Sequence, residues 1–391
     1  MGLIRVFLAL SVVVWHVHGA PQKLLNGAVA VLLFFVISGF YMAMVINEKY
    51  ATRDNLRWVP GFYAARAWRL YPAYWVSFIV AVAWYRVTGN LDIFDFSTPG
   101  APIKHIATIF SNLFILGQDV HQFLVRVLVE HAGPPALVAR LGAHGGGILA
   151  DYYMMVGQAW SLSSELWFYA IAPFIVTSRR RTLICLAIAL ALRFFLLTIC
   201  GQRSGIWGMF FFPGAACMFL LGSAAYHLRK MLPRPEWHPW VGLVCLLAFF
   251  TWVIQLKSAE PIILASRADW SVDEPRFWVL YVLFALAVPF IFQFSKNSKI
   301  DRQLGDLSYP LYLIHGVIVG ILLWWKVPFG AGYPSNLVIA SLLCLLAAFA
   351  LNKVIEAPAE ALRTRLKRPL RARGGTGGEL PSTPGTDAAS S

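Results

Sequence analysis

Arginine and histidine interrupt the apolar stretch IRVFLALSVVVWHVHG, which runs from Ile4 to Gly19. In a helix, the eleven-residue spacing of Arg5 and His16 puts both side chains on one face, about 16.5 Å apart along the axis. A guanidinium suits an anionic ligand, and an imidazole suits general-base catalysis near neutral pH. The spacing therefore predicts an anion held at Arg5 with an arm that extends along the helix to His16.

Two other interpretations of this stretch are open from the residues alone. His16 is also typical of a buried histidine that hydrogen-bonds a neighbouring helix, and His18 lies about 200° around a helix from His16, which favours a structural role for it. The stretch also fits a signal peptide, because it has one Arg, a short apolar core and small residues before Ala20.

Glu165 is the clearest carboxylate inside a long apolar run, with Ser161 and Tyr169 one helical turn away on the same face. A buried carboxylate pairs with a cation or stays protonated, and in hydrolases it orients a histidine. The alternatives are that Glu165 orients a catalytic histidine or that it pairs structurally with a cation such as Arg193.

The stretch LGDLSYPLYLIHG contains a second candidate histidine, His315. Asp306 and Ser308 suit a helix start, and Pro310 suits a first turn, which predicts a helix that begins near residue 308. His315 then lies inside the helix, as a catalytic residue or as a structural one.

Arg66 and Arg69 form a basic ridge beside aromatic residues. Paired guanidiniums bind phosphates, although basic residues beside a span also serve as ordinary anchors. The pair Ser38-Gly39 consists of small residues that permit close helix packing.

Composition identifies the elements that must position these residues. Of the 391 residues, 58% are hydrophobic and 13% are charged, and the mean hydropathy is +0.63. Soluble domains carry about 25% charged residues, so the sequence predicts an all-α polytopic membrane protein. The net charge is +14, and the charged residues lie between apolar runs. We therefore expect the lipid bilayer as a partner and no nucleic acid. The five cysteines all lie in apolar runs, which favours buried thiols over a metal site.

Apolar runs predict about ten transmembrane helices. They are expected at 3–19, 28–47, 71–87, 158–177, 182–200, 208–227, 238–256, 276–294, 308–325 and 335–354. Lys and Arg concentrate in alternate gaps and at the C-terminal end, which predicts that both termini are cytoplasmic.

Three further segments complete the domain organisation. The run 106–117 is too short to span and predicts a re-entrant or surface helix, followed by a long outer segment at 118–155. We expect a membrane domain at 1–360, a basic juxtamembrane segment at 361–373 that lies on anionic headgroups, and a disordered tail at 374–391.

Taken together and in this order, the motifs resemble those of the acyltransferase-3 family of integral membrane O-acyltransferases. The matching residues are Arg5 and His16; Phe34, Phe35, Ser38, Gly39 and Phe40; Arg66, Arg69, Leu70 and Pro72; Trp160, Ser161, Leu162, Glu165, Phe168 and Tyr169; Ser308, Tyr309, Leu311, Tyr312, Leu313 and His315; and Glu356 and Pro358. The resemblance covers roughly residues 3–360. It argues against a signal peptide, since cleavage would remove the first motif.

The resemblance implies transfer of an acyl group, usually acetyl, from acyl-CoA to a hydroxyl of an extracytoplasmic or membrane-associated carbohydrate or glycolipid. Arg5, Arg66 and Arg69 would bind the donor phosphates. His16 would act as base or take the acyl group itself, with Glu165 and His315 orienting it. Ser38, Trp160, Ser161, Tyr169 and Ser308 would support the site.

The resemblance further implies acetyl-CoA as a co-substrate, no metal, no permanently bound cofactor, and a location in a bacterial inner membrane. The alternative class is a secondary transporter or flippase with an intramembrane Arg, His and Glu relay.

Overall fold

The computed structural model of the chain describes residues 1–17, 24–50, 56–88, 101–124, 154–200, 204–232, 239–258, 272–329 and 333–373. Within these ranges the regular secondary structure is helical, and no strand occurs. The α-helices are labelled α1 (Gly2–His16), α2 (Gly27–Val45), α3 (Val59–Thr88), α4 (Ala101–Phe114), α5 (Trp160–Ile175), α6 (Arg179–Cys200), α7 (Ser204–Met209), α8 (Phe212–Met231), α9 (Pro239–Ser258), α10 (Pro275–Ser295), α11 (Lys299–Trp324), α12 (Pro334–Leu351) and α13 (Ala357–Arg373). Short π-helical turns, Ile46–Tyr50 and Asn352–Glu356, continue α2 and α12.

Among the residues that the structure describes, five helices are long and apolar enough to cross a membrane. They are Gly27–Tyr50, Arg179–Ile199, Pro275–Ser295, Lys299–Trp324 and Pro334–Arg365, while Gly2–His16 and Trp240–Leu256 are shorter apolar helices. The chain is therefore an all-α, multi-pass membrane protein. The predicted total is about ten spans, with both termini in the cytoplasm. Both statements remain predictions.

The structure corrects the expected start of α11. Ser298 is the N-cap, because its side chain accepts a hydrogen bond from the Asp301 amide at 3.2 Å. Asp306, Ser308 and Pro310 consequently lie inside the helix and do not begin it. The Ser308 hydroxyl instead donates to the Gly305 carbonyl at 2.7 Å.

The expected span 208–227 is also wrong as one continuous helix. The chain forms the short α7 and then α8, with a break at residues 210–211. Pro213 lies in the first turn of α8, where its missing amide hydrogen costs no helical hydrogen bond. A hydropathy window does not detect this break, since both pieces are apolar.

Helices α2 and α8 pack closely, backbone against backbone, at two glycines. A Cβ added to Gly39 would lie 1.8 Å from the Phe219 carbonyl oxygen, and one added to Gly222 would lie 1.8 Å from the Val36 carbonyl oxygen. Only glycine fits at either position. The small-residue interpretation of Gly39 is therefore confirmed, and this contact fixes the position of α2 in the core.

Helix α1 runs parallel to α11. At one end, Arg5 lies beside Gly305, where an added Cβ would be 3.5 Å from Nη1 of the arginine. At the other end, the ring centroids of His16 and His315 are 5.0 Å apart. Arg5 and His16 therefore share the face of α1 that contacts α11, as their spacing predicts.

Helix α4 covers most of the expected short helix at 106–117, and α3 holds its last turn. The Tyr71 and Tyr74 hydroxyls donate to the carbonyls of Phe114 at 2.7 Å and Asn112 at 2.5 Å. These bonds satisfy carbonyls that a helix end leaves without intrahelical partners. The predicted outer segment is described only in part, because residues 125–153 lie outside the described residues. His18 and the predicted tail 374–391 also lie outside them.

Candidate functional site

A cavity of about 580 Å³ lies between the helices that carry most of the predicted site residues. Its lining includes Arg5, Ser38, Arg66, Arg69, Ser161, Glu165, Tyr169 and Ser308. His16, His315 and Trp160 do not line it. Trp160 is buried with its ring centroid 4.5 Å from that of Phe210, so its contribution is to packing.

Arg5, Arg66 and Arg69 are the three predicted donor-binding residues, and all three line the cavity. Within the described residues, Arg5, Arg66 and Arg69 form no ion pair. The contacts of Arg66 are weak, with Nη1 3.9 Å from the Met42 sulfur and the guanidinium carbon 5.8 Å from the Phe62 ring centroid. Three arginines from α1 and α3 that line one cavity suit an anion with several charges.

Glu165 links α5 to α2 through hydroxyl groups. Its Oε1 accepts hydrogen bonds from the Tyr169 hydroxyl at 2.5 Å and from the Ser38 hydroxyl. The alternative of an ion pair with Arg193 is wrong, because Nε of Arg193 pairs with Oδ1 of Asp273 at 2.7 Å. Glu165 therefore stands in the cavity wall with a carboxylate fixed by two neutral donors.

His315 and His16 form a pair beyond the cavity. His315 is fully buried and His16 is exposed. Nδ1 of each ring lies 2.8 Å from a backbone carbonyl, that of Tyr312 for His315 and that of Val12 for His16. A carbonyl oxygen only accepts, so Nδ1 carries the hydrogen and Nε2 is the basic nitrogen of the neutral ring. In His315 this Nε2 is buried with no hydrogen-bond partner among the described residues.

Tyr312 separates the cavity from the histidine pair. It lines the cavity, and its ring centroid is 5.8 Å from that of His315 and 6.2 Å from that of Phe34. Its hydroxyl lies 2.7 Å from the Ser161 hydroxyl, which holds the ring in place. We call Tyr312 and Phe34 the aromatic wall.

Gln158 fixes the aromatic wall and was not singled out in the sequence. Its Nε2 donates to the backbone carbonyls of Tyr312 at 3.1 Å and Leu313 at 2.5 Å. The backbone carbonyl of Gln158 accepts a hydrogen bond from the Tyr312 hydroxyl at 3.2 Å. Gly316 makes room for it, since a Cβ there would lie 2.8 Å from Oε1 of Gln158. The available signal was its position just before the Trp160 motif.

The sequence also gave no site role to six other charged residues of the lining. They are Lys296, Asp301, Arg302, Asp306, Glu360 and Arg363. The last two belong to α13, whose residues from 361 onward were expected to lie on headgroups. No group of three or more metal-ligating side chains occurs among the residues that the structure describes.

Comparison with known families gives one match. The model of the acyltransferase-3 family, described as an acyltransferase domain, matches residues 1–353. No curated protein and no solved structure matches the chain. The match contains every site residue expected from the sequence, and it ends before α13.

Proposed function

The chain belongs to the acyltransferase-3 family, and we propose that it transfers an acyl group, most often acetyl, from acyl-CoA to a hydroxyl of a carbohydrate or glycolipid. Membership of the family makes it a membrane acyltransferase. The observation that carries the choice of donor is the cavity with Arg5, Arg66 and Arg69, none of which has an ion-pair partner among the described residues.

The donor phosphates bind at the arginines in this proposal. Coenzyme A carries several phosphate charges, and guanidinium groups bind phosphate by paired hydrogen bonds. Its pantetheine arm carries amide groups and extends past Glu165 toward the aromatic wall. The carboxylate of Glu165, fixed by Ser38 and Tyr169, accepts a hydrogen bond from an amide of the arm.

His16 acts as the general base in the transfer step. Its Nε2 takes the proton of the acceptor hydroxyl while the hydroxyl oxygen attacks the thioester carbonyl. The carbon–sulfur bond then breaks, and the coenzyme A thiolate recovers the proton from the imidazolium. His315 orients the His16 ring, which it contacts at a centroid distance of 5.0 Å. For the thioester to reach His16, the Tyr312 side chain has to turn away from Ser161.

The proposed orientation puts the arginine end of the cavity in the cytoplasm, where acyl-CoA is made, with both chain termini on that side. The exposed His16 then faces the compartment of the acceptor. The distribution of Lys and Arg supports this direction. We propose the inner membrane of a bacterium as the location.

The decisive experiment compares His16→Ala with the unmodified protein in proteoliposomes supplied with acetyl-CoA and with surface glycan and glycolipid fractions as acceptors, and follows these fractions by mass spectrometry. The unmodified protein should add the mass of an acetyl group to one fraction, and His16→Ala should abolish the addition while the protein still folds.

His227→Ala is the matched control. This histidine contacts the Thr182 hydroxyl at 3.2 Å and the Val176 carbonyl at 3.0 Å, outside the cavity lining, so its removal should leave transfer intact. Normal turnover by folded His16→Ala would refute the role of His16. Substrate flux without any dependence on acetyl-CoA would favour a transporter.

A further inference from the structure

Helix α13 forms part of the cavity wall although it lies beyond the family match. Glu360 and Arg363 line the cavity together with Arg66 and Arg69. The family model ends at residue 353, so these two side chains belong to a part of this chain that the family comparison does not describe.

Two hydrogen bonds hold α13 against the basic part of α3. The Trp68 indole donates to the Ala359 carbonyl at 2.7 Å, and Nη1 of Arg363 donates to the Ala65 carbonyl at 3.4 Å. Ala65 directly precedes Arg66 in the same helical turn. The Arg363 guanidinium therefore lies beside the ridge of Arg66 and Arg69.

Arg363 has a weak and replaceable counter-ion. Its Nη2 lies 2.7 Å from Oε1 of Glu360, three residues earlier, and the side chain of Glu360 is 49% exposed. An ion pair with a largely solvated carboxylate at this spacing stabilises a helix only weakly. Nε of Arg363 is buried with no hydrogen-bond partner among the described residues. A phosphate group offers more charge and more acceptor oxygens than one carboxylate, so it would displace Glu360.

We infer that Arg363 is a phosphate-binding residue of the donor site, and that Glu360 holds its guanidinium in position until a donor phosphate replaces the carboxylate. This inference rests on the proposed function, since it assigns an additional ligand to the same donor. The donor then has contacts from α1, α3 and α13, and the basic C-terminal helix is part of the binding site as well as a contact with the membrane surface.

The experiment measures donor kinetics for Arg363→Gln against Arg365→Gln. Both variants remove one positive charge from the same helix, but Arg365 is exposed and does not line the cavity. Arg363→Gln should raise the KM for acetyl-CoA roughly tenfold with kcat unchanged, as expected for a lost binding contact. Arg365→Gln should leave both constants within about twofold, since surface charges far from the site contribute little.

Glu360→Gln should lower the KM for acetyl-CoA by about threefold, because the Glu360 carboxylate no longer competes with the donor phosphate for Arg363.

Anionic lipid carries the same phosphate chemistry, so the kinetics are repeated in vesicles of phosphatidylcholine alone and in vesicles that also contain phosphatidylglycerol. A donor role predicts the same KM increase for Arg363→Gln in both. If the increase appears only with phosphatidylglycerol, Arg363 binds lipid and the inference is wrong.

A second measurement separates this inference from the proposed function. Coenzyme A alone should raise the Tm of the unmodified protein and of Arg365→Gln, and should raise that of Arg363→Gln clearly less. If the unmodified protein is active and Arg363→Gln has an unchanged KM and Tm shift, the inference fails while the proposed function stands. If the unmodified protein does not turn over acetyl-CoA and coenzyme A does not raise its Tm, both fail.

Discussion

Arg193 and the arginines of the cavity occupy the same helical bundle under opposite conditions. Arg193 on α6 is 1% exposed, and its guanidinium pairs with Asp273 at 2.7 Å, donates to the Gly208 and Gly214 carbonyls at 2.8 and 3.0 Å, and lies 5.3 Å from the Trp278 ring centroid. Arg69 is exposed to the cavity and has no ion pair among the described residues.

The difference separates a positive charge that the fold neutralises from the positive charges that we propose for donor binding. A charge buried among apolar helices has to be neutralised by the protein itself, because desolvation is costly. A charge beside a cavity can instead be neutralised by a ligand that enters the cavity. Arg193 is therefore structural, and Arg5, Arg66 and Arg69 are the arginines that we propose to bind the donor.

Removal of Arg193 should have the largest effect on stability. Arg193→Ala leaves Asp273 buried, at 5% side-chain exposure, without its partner. Loss of one member of a buried pair costs about 3–5 kcal/mol. We expect a strongly lowered Tm in thermal unfolding of the detergent-solubilised protein, and poor recovery of folded material.

The double variant Arg193→Met with Asp273→Leu separates charge from packing. Replacing both members of a buried pair by apolar residues is often nearly neutral, so Tm should recover most of the loss and the donor KM should match that of the unmodified protein. A raised donor KM in the folded double variant would show that Arg193 also serves the binding site, and the contrast with Arg69 would be false.

The same contrast explains what the sequence predicted and what it did not. Helical periodicity was enough to put Arg5 and His16 on one face, because that relation is internal to α1. The partner of Arg193 and the contact of Glu165 with Ser38 depend on which helices are neighbours, and no local pattern encodes this. The alternative that paired Glu165 with Arg193 rested on charge alone, and it is wrong for that reason.

Element boundaries follow a similar rule. Helices α9, α10 and α12 begin close to the predicted positions, because proline marks the first turn of each at Pro239, Pro275 and Pro334. The start of α11 was predicted too late because its first turns are polar and precede the apolar run. The role of α13 in the cavity was missed because its basic composition is also typical of a headgroup-binding segment.

Removal of Arg69 should have a smaller effect than removal of Arg193, and of another kind. Arg69→Ala should leave Tm nearly unchanged, since the side chain is exposed and forms no ion pair among the described residues. The KM for acetyl-CoA should rise about tenfold, which corresponds to roughly 1.4 kcal/mol. Steady-state kinetics at several donor concentrations measures this. An unchanged KM, or a large fall in Tm, would contradict the division into binding and folding arginines.

Ionic strength should have the smallest effect, and it should act on the cavity arginines but not on the Arg193–Asp273 pair. Raising salt from about 0.1 M to about 1 M shortens the screening length from about 10 Å to about 3 Å. Solvated cavity arginines lose part of their attraction for the donor, so we expect KM for acetyl-CoA to rise by about threefold. The Arg193–Asp273 pair excludes solvent, so the Tm difference between the unmodified protein and the Arg193→Met, Asp273→Leu variant should stay constant over the same range. A Tm difference that changes with salt would mean that ions reach Arg193. A KM for acetyl-CoA that does not change with salt would mean that the donor binds without help from the charges of Arg5, Arg66 and Arg69.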